Sequence, residues 1–116
     1  MDTYNFFHKP ICNFHINKAI AYTLKNYTEP LTLEEMADYL GLNKCYFCQL
    51  FKRETGKTYS QFLNELRIEK SKELLENTNL SILDIALTVG YNNQNHYSMA
   101  FKKLTGTTPK NYKNRN

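Results

Sequence analysis

The chain repeats itself. The segment GLNKCYFCQLFKRETGKT at 41–58 is echoed by GYNNQNHYSMAFKKLTGTT at 90–108. Gly41 matches Gly90 and Ala37 matches Ala86, both 49 residues apart. Phe51 matches Phe101, Gly56 matches Gly106 and Thr58 matches Thr108, all 50 apart. One inserted residue, between the second glycine and its helix, accounts for the shift. Upstream, TLEEMADYL at 32–40 parallels SILDIALTV at 81–89. Each copy reads as a short helix with an early acidic residue, a glycine-containing turn, and a longer helix that packs through phenylalanine. Tightly turned helix pairs of this kind are helix-turn-helix units, and two copies are too few for a solenoid. The chain is a tandem pair.

The remaining periodicity agrees. INKAIAYTLKNY sets Ile16, Ile20 and Leu24 on one helix face, and Pro30 ends that helix. A second helix starts behind Thr32, with Glu34 and Glu35 at the positive end of its dipole. Leu33, Met36, Ala37 and Leu40 form its expected buried stripe, and Gly41 closes it as a left-handed cap. Asn43 caps a third helix, KCYFCQLFKRET, which Gly56 stops; a long helix then runs from Tyr59 to Asn77. No useful strand alternation interrupts this pattern. The fold class is therefore all-α: two helix-turn-helix subdomains joined by a long linker helix, about seven helices in all. The expected divisions are a leader or remnant linker at 1–14, a first subdomain at 15–57, the linker helix at 58–77 and a second subdomain at 78–116.

Composition narrows the function classes. Fifteen Lys and Arg against eleven Asp and Glu give a formal +4. That balance suits an acidic partner and is too mild to establish nucleic-acid binding alone. Three cysteines in 116 residues argue against a secreted disulfide framework. No apolar run approaches a membrane span, and MDTYNFFHKP lacks a basic stretch followed by an apolar one. A soluble cytoplasmic protein without membrane partner or cofactor is expected. His8, His15 and His96 are scattered, and no nucleophile–base pair, phosphate-binding glycine loop or carboxylate dyad appears. An enzyme is not expected.

The stretches PLTLEEMADYLGLNKCYFCQLFKRETGKT, LRIEKSKELLENT and SILDIALTVGYNNQNHYSMAFKKLTGTTPKNYK together resemble the DNA-binding domain of the AraC/XylS-type bacterial transcription regulators. The likeness covers residues 16–113, and the second block, with its Gly-Tyr turn, FKK and TGTTP, is the most diagnostic. The resemblance implies two recognition helices, each set into a major groove of double-stranded DNA. RNA polymerase, and an upstream sensor or dimerisation domain absent from this chain, are the further partners expected. Asn43 stands where the family favours serine, Ser71 replaces a favoured alanine, and Gln49 and Met99 occupy positions where arginine is common. Sequence preference therefore does not carry over.

Helical geometry points the same way independently. At about 100° per residue, Phe47, Leu50 and Phe51 form the core side of the third helix, with Cys45, Gln49 and Lys52 nearly opposite. Cys48 and Arg53 fall on the flanks. In the second copy Tyr97, Ala100, Phe101 and Leu104 make the expected core side; Asn95, Met99 and Lys102 lie opposite, with Ser98 on the flank. Amides bond base edges and lysines neutralise phosphates. The expected base-facing residues are Lys44, Cys45, Cys48 and Gln49, then Gln94, Asn95, Ser98 and Met99. The expected phosphate-facing ones are Asn43, Lys52 and Arg53, then Asn93, Lys102 and Lys103. On the linker helix, Tyr59, Phe62, Leu63 and Leu66 point one way, whereas Ile68, Ser71, Leu74 and Leu75 point about 140° away. Its two halves thus serve one unit each, and its length of about 27 Å permits recognition helices about one DNA turn apart.

The pair Cys45 and Cys48 supports an alternative from another class, a metal- or thiol-responsive helical module. Structural zinc takes four ligands, usually with cysteines on a turn. Here the pair lies within a helix, and only Cys12 and His15 are candidates to complete the set. A redox pair wants a βαβ context that is missing. A protein-interaction adapter is a third reading; it lacks salt-dependent DNA binding.

Overall fold

The structure is a computed structural model in which residues 13–115 are described. Seven helices and no strand occur among these residues, so the all-α expectation holds. They are α1 (Phe14–Asn26), α2 (Leu33–Leu40), α3 (Lys44–Thr55), α4 (Tyr59–Asn77), α5 (Ile82–Thr88), α6 (Gln94–Thr105) and α7 (Pro109–Asn114).

Local chemistry sets these boundaries. Thr32 and Thr58 each form a capping box, with Glu35 and Gln61 respectively returning a bond to the cap amide. Ser81 and Thr108 cap α5 and α7 through their hydroxyls, and Pro109 occupies the first turn of α7, where its missing N–H costs nothing. The repeat extends into these caps. Thr55 and Thr105 each bond the phenylalanine carbonyl one turn back and the carbonyl two residues on. Phe62 packs its ring on Phe51 at 5.6 Å, and Tyr112, 50 positions later, packs on Phe101 at 5.5 Å. Helix α7 is thus the truncated counterpart of the start of α4. The inserted residue lies where the repeat locates it: Gly41 is two positions before the cap Asn43, and Gly90 three before Asn93.

Two cores result. The first gathers Ile16 and Ala19 of α1, Met36, Ala37 and Leu40 of α2, Phe47, Leu50 and Phe51 of α3, and Tyr59, Phe62 and Leu63 of α4. The second gathers Ile68 and Leu75 of α4, Ile85, Ala86, Val89 and Tyr91 around α5, and Tyr97 and Phe101 of α6. Helix α4 therefore gives its first half to one unit and its second half to the other, and Tyr27 packs against both. In the first core Tyr59 Oη meets Thr23 Oγ at 2.7 Å, which satisfies a buried phenol.

Some expected core positions lie differently. Leu104 is 43% exposed, on the rim of a groove between α4 and α6 lined also by Gln61, Asn64, Ala100 and Lys103. Leu33 and Leu74 are half-buried at the margins of their cores. Ser71 is fully buried and donates to the Ile68 carbonyl at 2.8 Å. Among the described residues no helix is long and apolar enough to cross a membrane.

Candidate nucleic-acid interface

Helices α3 and α6 present the same construction on the side away from their cores. Phe47, Leu50 and Phe51 hold α3 by one face; Tyr97 and Phe101 hold α6. What remains outward pairs off at a spacing of 50: Asn43 with Asn93, Lys44 with Gln94, Cys45 with Asn95, Cys48 with Ser98, Gln49 with Met99, Lys52 with Lys102, Arg53 with Lys103. All are exposed except Cys48 and Ser98, which are half-buried on the flank. Met99 is 64% exposed, and its thioether lies 3.7 Å from the Asn95 amide nitrogen one turn back.

The caps organise the near end of each helix. Asn43 Oδ1 accepts from the Cys45 and Tyr46 amides at 2.8 and 3.2 Å. Asn93 Oδ1 accepts from the His96 amide at 2.7 Å. Both asparagines keep their amide NH2 for an outside acceptor, beside backbone N–H groups at the positive end of the helix dipole. That is a phosphate-binding chemistry. At the far end, Lys52 and Arg53, then Lys102 and Lys103, occupy the last turns. They complement the helix dipole there, and Lys52, Lys102 and Lys103 enter no ion pair among the described residues.

Lys44 behaves differently. Its ammonium is 2.8 Å from Glu34 Oε2, a carboxylate in the first turn of α2. The hydrogen bond and charge of Glu34 hold the Lys44 pKa above its usual value, and Lys44 holds that of Glu34 below. Both groups are open to solvent, so any base contact by Lys44 exchanges this pair for another. Two exposed residues beside the reading faces lie outside the expected base-facing set. Tyr46 is 49% exposed in the first turn of α3. Its counterpart His96 sets its ring edge-on to Tyr91 at 5.1 Å. Proximity to the caps was the available signal for both.

Cys45 and Cys48 are free thiols. Among the described residues no group of three or more His, Cys, Asp or Glu is arranged to hold a metal ion. His15 is on the first turn of α1 with its ring against Phe14, and Cys12 lies outside the described residues. Nothing among the described residues completes a zinc site around the CYFC pair, so the metal-responsive alternative is not favoured.

Comparison with known proteins agrees with this geometry. Residues 36–115 match the model of a helix-turn-helix domain family. The chain is 32% identical over 100 residues to the melibiose operon regulatory protein of Escherichia coli K12; that alignment takes in 86% of this chain and 33% of the relative, so the chain spans about a third of its length. The C-terminal domain of AraT, a response regulator from Geobacillus stearothermophilus, superposes with a TM-score of 0.87 at 35% identity, covering 90% of this chain and 87% of that one. The DNA-binding domain of AdpA, solved in complex with a target DNA, has the same fold, with a TM-score of 0.84 at 21% identity over 89% of this chain and 93% of that one. With its tandem helix-turn-helix units, its linker helix and these relatives, the chain belongs to the AraC-type family of helix-turn-helix DNA-binding transcription regulators.

Proposed function

We propose that this chain reads double-stranded DNA by setting α3 and α6 into successive major grooves on one side of the duplex. One observation carries the reading. Two helices 50 positions apart expose, away from their cores, mostly amide, thiol and hydroxyl side chains over their first two turns, with Lys44 and Met99 among them, and Lys52 and Arg53 or Lys102 and Lys103 in their last turns. Nineteen residues of α4 separate the units, and at about 1.5 Å per residue that length suits recognition helices one DNA turn apart. Residues 15–57, 58–77 and 78–116 are the corresponding working division into unit, linker and unit.

The roles divide along each helix. Lys44, Cys45, Cys48 and Gln49, with Gln94, Asn95, Ser98 and Met99, meet base edges. Asn43, Lys52 and Arg53, with Asn93, Lys102 and Lys103, meet phosphates, the two asparagines through the amide groups their capping leaves unused. RNA polymerase is the protein partner in this reading, and an appended sensor or dimerisation domain would occupy part of the length that relatives such as the melibiose regulator have beyond the matched third. The setting is the cytoplasm, on the nucleoid when bound.

Selection from a random DNA library, followed by titration of variants on the selected site and on random DNA, tests the division. Gln49→Ala and Asn95→Ala are expected to relax specificity, each by about 1–3 kcal/mol. Lys52→Ala and Lys102→Ala are expected to weaken all sequences alike and to reduce the salt slope by about one each. Equal losses on specific and random DNA for all four variants would overturn the assignment.

A further inference from the structure

The two units touch through very little. Their cores are separate clusters, and among the described residues the one packed against both is Tyr27, just past the end of α1. Beside it sits Arg67, near the middle of α4. Arg67 Nε donates to the Tyr27 carbonyl at 2.8 Å, and Nη2 donates to the Glu29 carbonyl at 2.9 Å. These carbonyls lie at the frayed end of α1 and in the turn beyond it, where helical partners run out. The same guanidinium lies 5.6 Å from the centre of the Tyr91 ring, which belongs to the second unit. Tyr91 in turn donates its hydroxyl to Asn64 Oδ1, back on α4, at 2.7 Å. One planar group therefore joins the first unit, the linker and the second unit.

The repeat breaks its symmetry at this place. In the first unit the residue after the turn glycine is Leu42, which packs on its own core. In the second unit it is Tyr91, which reaches the linker and Arg67. Gly90 allows the approach: a Cβ there would stand 2.7 Å from the Tyr27 carbonyl oxygen and 2.8 Å from Arg67 Nε, whereas one at Gly41 would meet nothing within 4 Å. A helix-turn-helix unit does not itself require these contacts, since the first copy does without them. Only the relation between the two units does.

We infer that Arg67, received by the Tyr27 and Glu29 carbonyls and by the Tyr91 ring, is a positioning residue that fixes the orientation of one helix-turn-helix unit against the other, so that α3 and α6 engage DNA together. The inference rests on the DNA-reading proposal for its consequence but not for its structural content. A lysine cannot replace the arginine, because a point charge does not span two carbonyls while stacking on a ring.

Residual dipolar couplings on the free protein test the orientation without DNA. The helices of both units are expected to share one alignment tensor in the wild type. In Arg67→Met, and more mildly in Arg67→Lys, the tensors for α2 and α3 and for α5 and α6 are expected to diverge while the core chemical shifts of each unit persist. Arg67→Lys decides the matter if Arg67→Met does not fold. A single shared tensor in the folded variants overturns the inference, as do two tensors in the wild type. On selected DNA, the advantage of a full site over a half site, which tethering sets at about a hundred-fold or more, is expected to fall about ten-fold in Arg67→Met. Half-site affinity is expected to change less than about two-fold, since each reading face is intact. An unchanged full-to-half ratio also overturns it. Failure of the wild type to select any DNA would refute the DNA-reading proposal and leave the tensors to judge Arg67.

Discussion

Replacing Gly90 by alanine should cost far more than the same change at the other turn glycines. All four glycines have positive φ, at 72° for Gly41, 81° for Gly56, 110° for Gly90 and 84° for Gly106. Alanine in such a conformation costs about 1–2 kcal/mol, offset by up to about 1 kcal/mol because alanine restricts the unfolded chain. At Gly41, Gly56 and Gly106 nothing else intervenes, since an added Cβ meets open space. The net loss there is about 0–1.5 kcal/mol. At Gly90 the methyl group would meet Tyr27 O at 2.7 Å and Arg67 Cζ at 2.9 Å. The arginine is a flexible side chain and can leave, but the carbonyl is backbone and cannot. Departure of Arg67 forfeits charge-assisted bonds worth about 1.5–3 kcal/mol, so Gly90→Ala should cost about 2–5 kcal/mol in total. At about 3–6 °C per kcal/mol for a domain of this size, the extra loss of about 1.5–3 kcal/mol should make it melt at least about 4 °C below Gly41→Ala. Urea and thermal unfolding of the four alanine variants, followed by helical circular dichroism, measure this. If Gly90→Ala is no less stable than Gly41→Ala, the close approach of the two units through Gly90 is wrong.

The elements were legible because each carries its own local signal. The caps Thr32, Asn43 and Thr58 and the closing glycines 41 and 56 bound their helices within a residue of the expected places. Outward and inward faces of α3 followed from periodicity, since Phe47, Leu50 and Phe51 are the residues that close its unit. The same rule misplaced Leu104, because periodicity assigns a side without saying how far the neighbouring helix reaches along it; the position 50 earlier is Glu54, a half-buried charged residue rather than a core one. The Arg67 junction carried no such signal. Its bonds run 40 and 38 positions back along the chain to backbone carbonyls, which look alike in any sequence. Only the odd inserted residue after Gly90 hinted that the second turn differs from the first. Pairing of Lys44 with Glu34 was equally silent, as it depends on how α2 and α3 cross.

Three further outcomes are expected. Cys45→Ser and Cys48→Ser should each shift stability by no more than about 0.5 kcal/mol, because the core of α3 lies on the other side, while DNA preference changes as a weak thiol donor becomes a hydroxyl. DNA should also protect both thiols from alkylation; unprotected thiols would remove them from the reading face. Proline at Glu69, inside α4, should cost about 3 kcal/mol or more and erase the full-site advantage; an unchanged ratio would refute the role of α4 as a rigid spacer. Tyr97→Phe, by contrast, should not destabilise. Its hydroxyl is buried and makes no hydrogen bond of good geometry among the described residues; the Ser71 hydroxyl, which gives its own proton to Ile68, offers it at most a weak acceptor. An unpartnered buried hydroxyl costs about 1–3 kcal/mol in desolvation, and the equivalent position in the first unit is Phe47, fully buried without one. Burial pushes the Tyr97 pKa from 10.0 up to about 12, with Ser71 drawing it partly back. An unfolded tyrosine ionises first as pH rises through that window, so the unfolded chain then holds fewer protons and wild-type stability falls between pH 10 and pH 12. The variant escapes that loss, and its advantage should grow by about 1.4 kcal/mol for each pH unit there. Urea titrations at neutral pH and at two alkaline values separate the cases: a loss of about 1 kcal/mol or more at neutral pH would mean that the Tyr97 hydroxyl is hydrogen-bonded in the folded protein, and an advantage that does not grow with pH would mean that burial does not raise its pKa.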